Sequence, residues 1–325
     1  MSEKLPDILL IGDCSIDLFM RVDNDSLQST SEGKLCFYHG SKVPVEQCKA
    51  TIAGNACNVA MGCKRLGLDP LPYTELGDDE NADKFIRELG EAGIDTSYCL
   101  KNPSTPTNVH AIISYADDRT IFSYHDKRQY KLWDWPKPKW LLYTSLGYGF
   151  EEFQKQLVEY LGENTDIGVA FNPGTQQLKS GVESLENFLA ITDIIFVNRT
   201  EAELLTGEKD CSLLDLHKKL QKLGPKMTVI TLGKRGSSVN LVNGGSGDGE
   251  TSKETSDTLY EQPAAKPPKK PIDKTGAGDA YTSGFLSAII KGKNVETAMK
   301  WGSENSASVI TEIGAIHGLV TADEL

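Results

Sequence analysis

The chain has 325 residues and carries 34 Lys plus Arg against 46 Asp plus Glu, a formal net charge of −12, which argues against nucleic acid and against an anionic membrane surface as partners. Seven cysteines, Cys14, Cys36, Cys48, Cys57, Cys63, Cys99 and Cys211, are odd in number and form no CxxC pair, so reduced thiols in a cytoplasmic protein are expected rather than a disulfide frame or a zinc site. The length suits one large α/β domain, or such a domain with a smaller appendage. Residues 1–7 are too short and polar for a signal peptide, and no apolar run reaches membrane-spanning length.

Residues 8–11 form a short apolar run ending at Gly12-Asp13, the pattern of a buried parallel strand whose carboxyl end carries two acids, Asp13 and Asp17. Ligands of open α/β sheets gather at such ends, and either acid also fits a turn or a helix cap. From 19 to 45 the short stretches with polar breaks predict a small β element. Ala53-Gly54-Asn55-Ala56-Cys57-Asn58-Val59-Ala60 then opens a helix expected to reach Leu66 and stop at Gly67. Gly54 leaves the backbone bare, while Asn55 and Asn58 can donate and accept hydrogen bonds, as polyol recognition requires. Both residue types are ordinary caps as well. A second strand and helix follow, over 71–74 and 82–90, with Asp78 at their junction as a sugar ligand or a helix acid.

Residues 109–115 and 120–124 flank Ala116-Asp117-Asp118-Arg119, which predicts a hairpin of the same small β element. From Trp140 the alternation is regular, with strands at 141–144, 168–171, 194–197 and 227–231 and helices at 151–161, 181–189, 201–205 and 213–223. Such repeats predict a mostly parallel sheet covered by helices on both faces. Asn198-Arg199-Thr200-Glu201 follows one of these strands and could hold a metal at bound phosphates, or simply cap its helix. Thr231-Leu232-Gly233-Lys234-Arg235-Gly236 follows the next, where a hydroxyl, bare backbone and two cations suit a nucleotide phosphate or an ordinary turn. No Walker A order is present, and no Gly-x-Gly-x-x-Gly follows the first strand. The Gly-, Ser- and Asp-rich residues 243–258 are expected to be a mobile loop within a hairpin, and a helix over 295–313 with a short tail closes the chain.

The stretch that organises the chain is Asp273-Lys274-Thr275-Gly276-Ala277-Gly278-Asp279 and the apolar positions that follow at helical spacing, Tyr281, Phe285, Ala288 and Ile289. Gly276-Ala277-Gly278 should be the turn that opens a helix. Bare N–H groups and the positive end of the helix dipole there make an anion site, with Asp279 beside it as a base or as a residue that merely complements the dipole. Donors and base together suit phosphoryl transfer to an alcohol.

Taken in order, Ala53–Ala60, Asn198–Glu201, Thr231–Gly236 and Thr275–Asp279 resemble the motifs of ribokinase-like (PfkB-type) carbohydrate kinases over nearly the whole chain. The resemblance implies a large α/β domain from 1–13, 51–107 and 127–325, and a small β lid from 14–50 and 108–126 that closes over the sugar. It implies Asp279 as catalytic base and Gly276, Ala277 and Gly278 as the anion hole. Asp13, Asp17, Gly54, Asn55 and Asn58 would hold sugar hydroxyls, and Thr231, Gly233, Gly236 and Gly278 the nucleotide, with Asn305 on its adenine side. Asn198 and Glu201 would hold Mg2+ through water at the phosphates of ATP, and Asp273 and Thr275 match part of a K+ site. Departures are Ala53 before Gly54, Lys274 between Asp273 and Thr275, and the strand end Tyr143-Thr144-Ser145, which lacks an acid. The implied enzyme is an ATP-dependent kinase acting on a hydroxyl, expected to be a primary one, of a small sugar. Stacking of lid aromatics Tyr38, Phe122 and Tyr124 on a base would make it a nucleoside kinase instead, and a non-catalytic sugar- or nucleotide-binding regulator is the reading from another class. Pairing of two lids into a homodimer is a further expectation.

Overall fold

The computed structural model describes residues 5–22, 28–29, 35–115, 118–241 and 258–325. The expected loop at 243–258, apart from Thr258, lies outside the described residues, as do Ala116 and Asp117. In chain order the strands are β1 (Ile8–Ile11), β2 (Ser15–Val22), β3 (Gln28–Ser29), β4 (Leu35–Cys36), β5 (Val45–Ala53), β6 (Pro70–Gly77), β7 (Cys99–Asn102), β8 (Asn108–Tyr115), β9 (Asp118–Tyr124), β10 (Trp140–Tyr143), β11 (Gly168–Phe171), β12 (Ile194–Asn198), β13 (Met227–Thr231), β14 (Ser237–Leu241) and β15 (Thr258–Gln262). The helices are α1 (Asn55–Arg65), α2 (Glu80–Glu91), α3 (Phe150–Glu163), α4 (Thr175–Lys179), α5 (Val182–Ala190), α6 (Arg199–Thr206), α7 (Leu213–Lys222), α8 (Ala277–Ile290) and α9 (Val295–Val309).

Among the described residues one sheet has nine strands in the order β15-β14-β13-β12-β11-β10-β1-β6-β7, parallel from β13 through β7 and antiparallel from β13 through β15. The reason β1 sits in the interior of the sheet is legible in its side chains: all four are fully buried, so both faces must be covered. Ile8 and Leu10 join the core that includes Cys57, Phe85, Phe285 and Met299 from α1, α2, α8 and α9. Leu9 and Ile11 join the opposite core, with Phe153, Phe188 and Leu216 from α3, α5 and α7. The alternation of strand side chains thus builds two cores from four residues.

The helix after the organising stretch is unusual in being buried on nearly every side, from Asp279 to Ala288. Small residues permit this. A Cβ at Gly284 would lie 2.6 Å from the Trp301 carbonyl oxygen, so α9 packs directly on the α8 backbone. A helix fixed from all sides gives its first turn a fixed position.

A separate four-stranded sheet, order β5-β2-β8-β9, draws on strands from residues 15–53 and 108–124. Its β2 pairs antiparallel with β5 and parallel with β8. Lys84 Nζ donates to the Ala50 carbonyl (2.8 Å) and Lys49 Nζ to the Ile313 carbonyl (3.4 Å), tying this sheet to the main body. Strand β7 and helix α4 lack a distinct sequence pattern, being four and five residues long. The last helix stops at Val309 rather than near 313, where the β-branched run Val309-Ile310-Thr311 disfavours a further helical turn. All seven cysteines are free thiols, and no helix among the described residues is long and apolar enough to cross a membrane.

Candidate active site

The site is assembled where β1, β12 and β13 end and α1 and α8 begin. Gly276, with φ of 77°, makes the turn into α8, and a Cβ there would lie 2.7 Å from Ala315 Cα, so a side chain is excluded by both conformation and space. Asp273 braces this turn: its Oδ1 accepts from Thr275 N–H (2.9 Å) and Thr275 Oγ1 (2.7 Å), and its Oδ2 from Gly314 N–H (3.1 Å). Ala277 N–H turns back to the Lys274 carbonyl (3.3 Å), whereas the N–H groups of Gly278 and Asp279 meet no backbone acceptor among the described residues. These are the orphan donors of a helix start. Gly278 is exposed, and a Cβ on it would enter open space.

Asp279 is only 8% exposed. Its Oδ1 accepts from Asn55 Nδ2 (2.8 Å) and its Oδ2 from Asn58 Nδ2 (2.7 Å). Burial pushes its carboxyl up to about 6, against the pull of the two amides and with a further push from Asp17. Gly54 brings these asparagines into place. Its φ is 100°, and a Cβ would lie 2.5 Å from the Asp13 carbonyl oxygen and from Cys14 Cα, so the start of α1 abuts the end of β1.

Asp13 and Asp17 are both buried. Asp13 Oδ1 accepts from the Tyr130 hydroxyl (2.6 Å), which accepts from Gly147 N–H (3.1 Å). Asp17 Oδ1 accepts from Ser15 Oγ (3.1 Å) and lies 3.0 Å from His110 Nδ1. His110 Nε2 is 3.0 Å from His125 Nε2, and His125 Nδ1 is 3.6 Å from Asp13 Oδ2. Ser15, His110, His125 and Tyr130 escape a reading of the sequence, because isolated residues so far apart in the chain carry no pattern until the lid strands are paired.

On the other flank, Asn198 and Glu201 cap α6 reciprocally: Glu201 N–H donates to Asn198 Oδ1 (3.0 Å) and Asn198 N–H to Glu201 Oε2 (2.8 Å). The cap is therefore real. Burial raises the Glu201 carboxyl, its two Asn198 bonds oppose this, and the charge of Asp279 adds to the rise, which places the two acids in one electrostatic neighbourhood. Asn198 pairs in register with Thr231 on β13, and Gly233 and Gly236 bound the single 3₁₀ turn that follows. The two phosphate-suited motifs thus stand side by side. Asn305 does not join them. It is fully buried, donates to the Ala280 carbonyl (2.9 Å) and Ser283 Oγ (3.0 Å), and accepts from Val320 N–H (3.0 Å). The expectation of an adenine contact there is corrected to a structural amide that fastens α9 to α8.

The pfkB family carbohydrate kinase model matches residues 5–322. The chain belongs to this family. As a pfkB family member it is a phosphotransferase with an alcohol group as acceptor, of the sugar and nucleoside kinase kind. It is 25% identical over 314 residues to the nucleoside kinase of Methanothermobacter thermautotrophicus, covering 95% of this chain and 90% of that one. It is likewise 25% identical over 348 residues to the ATP-dependent 6-phosphofructokinase of Thermoanaerobacterium thermosaccharolyticum, covering 99% and 94%. The fold matches that of Arabidopsis thaliana ribokinase complexed with ribose and ATP, with a TM-score of 0.76 at 16% identity, covering 98% of this chain and 97% of that one. A kinase of this family with a separate small sheet as lid is thus the frame for the site.

Proposed function

We propose that the protein transfers the γ-phosphoryl group of ATP to a hydroxyl, a primary one, of a small neutral sugar. The observation that carries this reading is Asp279, buried, clamped by Asn55 and Asn58, and set beside the open N–H groups of Gly278 and Asp279. Asp279 accepts the proton as the substrate oxygen attacks. The new O–P bond forms as the bond between the γ-phosphorus and the bridging oxygen breaks, and ADP leaves with that electron pair. The N–H donors and the positive end of α8 stabilise the charge on the transferring group. A carboxylate whose proton affinity is raised towards neutrality is a stronger base at working pH than an exposed one.

Asp13 and Asp17 support a neutral acceptor, since two buried carboxylates repel a sugar phosphate. The strand register supports a sugar over a nucleoside. Asp17, His110 and Ser123 are register partners, so Phe122 and Tyr124 point to the opposite face of the lid sheet and do not stack over the site. The regulator reading fares poorly because both the base and the glycine turn are intact.

Asn198 and Glu201 would hold Mg2+ at the phosphates. Among the described residues no group of three or more His, Cys, Asp or Glu could hold a metal, and Mg2+ is ordinarily bound by one or two carboxylates plus substrate phosphates and water, so the lone Glu201 carboxylate fits. When bound, the ion spreads the charge of the transferring phosphates. Asp273 and Thr275 are the candidate K+ residues, through the turn they brace. Equal turnover in K+ and K+-free buffer of matched ionic strength would remove that role.

The test is ADP release with Mg-ATP across neutral pentoses and hexoses, sugar phosphates and nucleosides, with Asp279→Asn alongside. Turnover of a neutral sugar, lowered about a hundred- to ten-thousand-fold in the variant with ATP binding retained, is expected. Turnover of nucleosides alone would replace the sugar reading, and binding without turnover across the panel would favour the regulator.

A further inference from the structure

The two carboxylates on the sugar side are joined by a pair of histidines. His110 stands on β8 of the lid, with its Nδ1 3.0 Å from Asp17 Oδ1 and 3.4 Å from Ser15 Oγ. His125 follows β9, where the chain returns from the lid, and its Nδ1 lies 3.6 Å from Asp13 Oδ2. The two Nε2 atoms meet at 3.0 Å, with ring centroids 4.9 Å apart and planes inclined by 47°. Asp13 is anchored from behind by the Tyr130 hydroxyl. A line of polar groups therefore runs from the lid strands to the end of β1.

The separations of His110 Nδ1 from Asp17 Oδ1 and of the two Nε2 atoms from each other, 3.0 Å each, are hydrogen-bond distances, whereas His125 Nδ1 at 3.6 Å from Asp13 Oδ2 is beyond one.

The charged groups facing the pair are Asp17 from β2 and Asp13 from the end of β1. The charge of Asp17 adds in turn to the raised proton affinity of Asp279 on α8. The His110 and His125 side chains are 18% and 33% exposed, against 6% and 7% for Asp17 and Asp13. The imidazoles are thus the open part of this line, with the acids behind them.

We propose that His110 and His125 are specificity-determining residues of the acceptor site, a hydrogen-bonded imidazole pair that stands between Asp17 and Asp13 and hydrogen-bonds the hydroxyls of a neutral polyol. The inference rests on the kinase reading above. A sugar hydroxyl both donates and accepts, so it can give its hydrogen to a carboxylate and take one from an imidazole. The two carboxylates behind the imidazoles favour a neutral acceptor over an anionic one.

Steady-state kinetics would be measured on the acceptor the wild type turns over best, for His110→Gln, His125→Gln and the corresponding alanine variants. Each glutamine variant should raise KM by about tenfold or more while kcat stays within about threefold, with alanine raising KM further. An unmoved KM in the glutamine variants would overturn the proposal. Calorimetric binding of a neutral hexose to the wild type and to the alanine variants provides a readout independent of turnover: weaker binding in the variants is expected, and unchanged binding would overturn the role of the pair. A wild type inert on every acceptor would sink the kinase reading, and the binding comparison would still decide the pair.

Discussion

Asp279 is an acid held where its charge is poorly solvated, and two consequences follow. Because burial lifts its carboxyl to about 6, kcat should fall roughly tenfold per pH unit below that value as the base is protonated. A flat kcat down to about pH 4.5 would remove Asp279 from the base role. The same shift acts on stability. The folded protein binds this proton more tightly than the unfolded chain does, so raising the pH from the ordinary carboxylate value of 3.8 through about 6 destabilises the fold. The full effect is about 3 kcal/mol, present above the folded value and absent below the unfolded one. Urea melts should therefore show wild type losing stability relative to Asp279→Asn between about pH 4 and 7. Asp279 was legible in the sequence because a glycine turn and an apolar helical period announce it. Asn305 was misread, since nothing in a lone Asn on a late helix tells whether its amide faces a ligand or three internal partners. His110 and His125 were silent for the complementary reason: strand pairing, not spacing in the chain, brings them together.

The element that decides the chemistry is α8, and its position depends on the turn before it. Gly276→Ala would force a side chain into a left-handed conformation and against Ala315, which should destabilise the fold by about 1–3 kcal/mol and shift the Gly278 and Asp279 donors. The expected outcome is a lowered Tm together with a loss of kcat larger than the change in acceptor KM. A variant with wild-type kcat would show that the anion hole tolerates the shift. Gly278→Ala meets open space, so any loss of kcat there, at wild-type Tm, reports crowding of the transferring group instead. Most elements of the main sheet could be read directly, since β1, β11 and residues 194–197 of β12 are apolar runs between breaks. Strand β7 could not, because Cys99-Leu100-Lys101-Asn102 has neither alternation nor an apolar run and becomes a strand only by adding to the edge of β6.

At the scale of the molecule, β9 is an edge of the lid sheet among the described residues, and it carries Phe122 and Tyr124, 62% and 50% exposed, on the face turned from the site. A sheet edge beside exposed aromatics invites a second copy. Sedimentation velocity should show a dimer that Phe122→Asp dissociates, and a monomer at all accessible concentrations would exclude lid pairing. The overall architecture was legible because repeated strand and helix units permit few arrangements. The small β element was legible in the polar-broken stretch after residue 19 and in the hairpin pattern over 109–124, and only the resemblance to known kinases made it a lid.

The interior place of β1 has a consequence for how the chain acquires its structure. Ile8 is flanked by Pro70 on one side and Trp140 on the other, so this strand is made well before the second of its neighbours. Both lid segments are synthesised before β10 exists. A nascent chain ending before Trp140 would carry a fully apolar strand with one side open, the kind of exposed edge that chaperones shield and that slows acquisition of the native topology. Ribosome-bound chains stalled on either side of β10 should therefore differ sharply in protease resistance of the first strand, and equal resistance would place the closure of the sheet elsewhere.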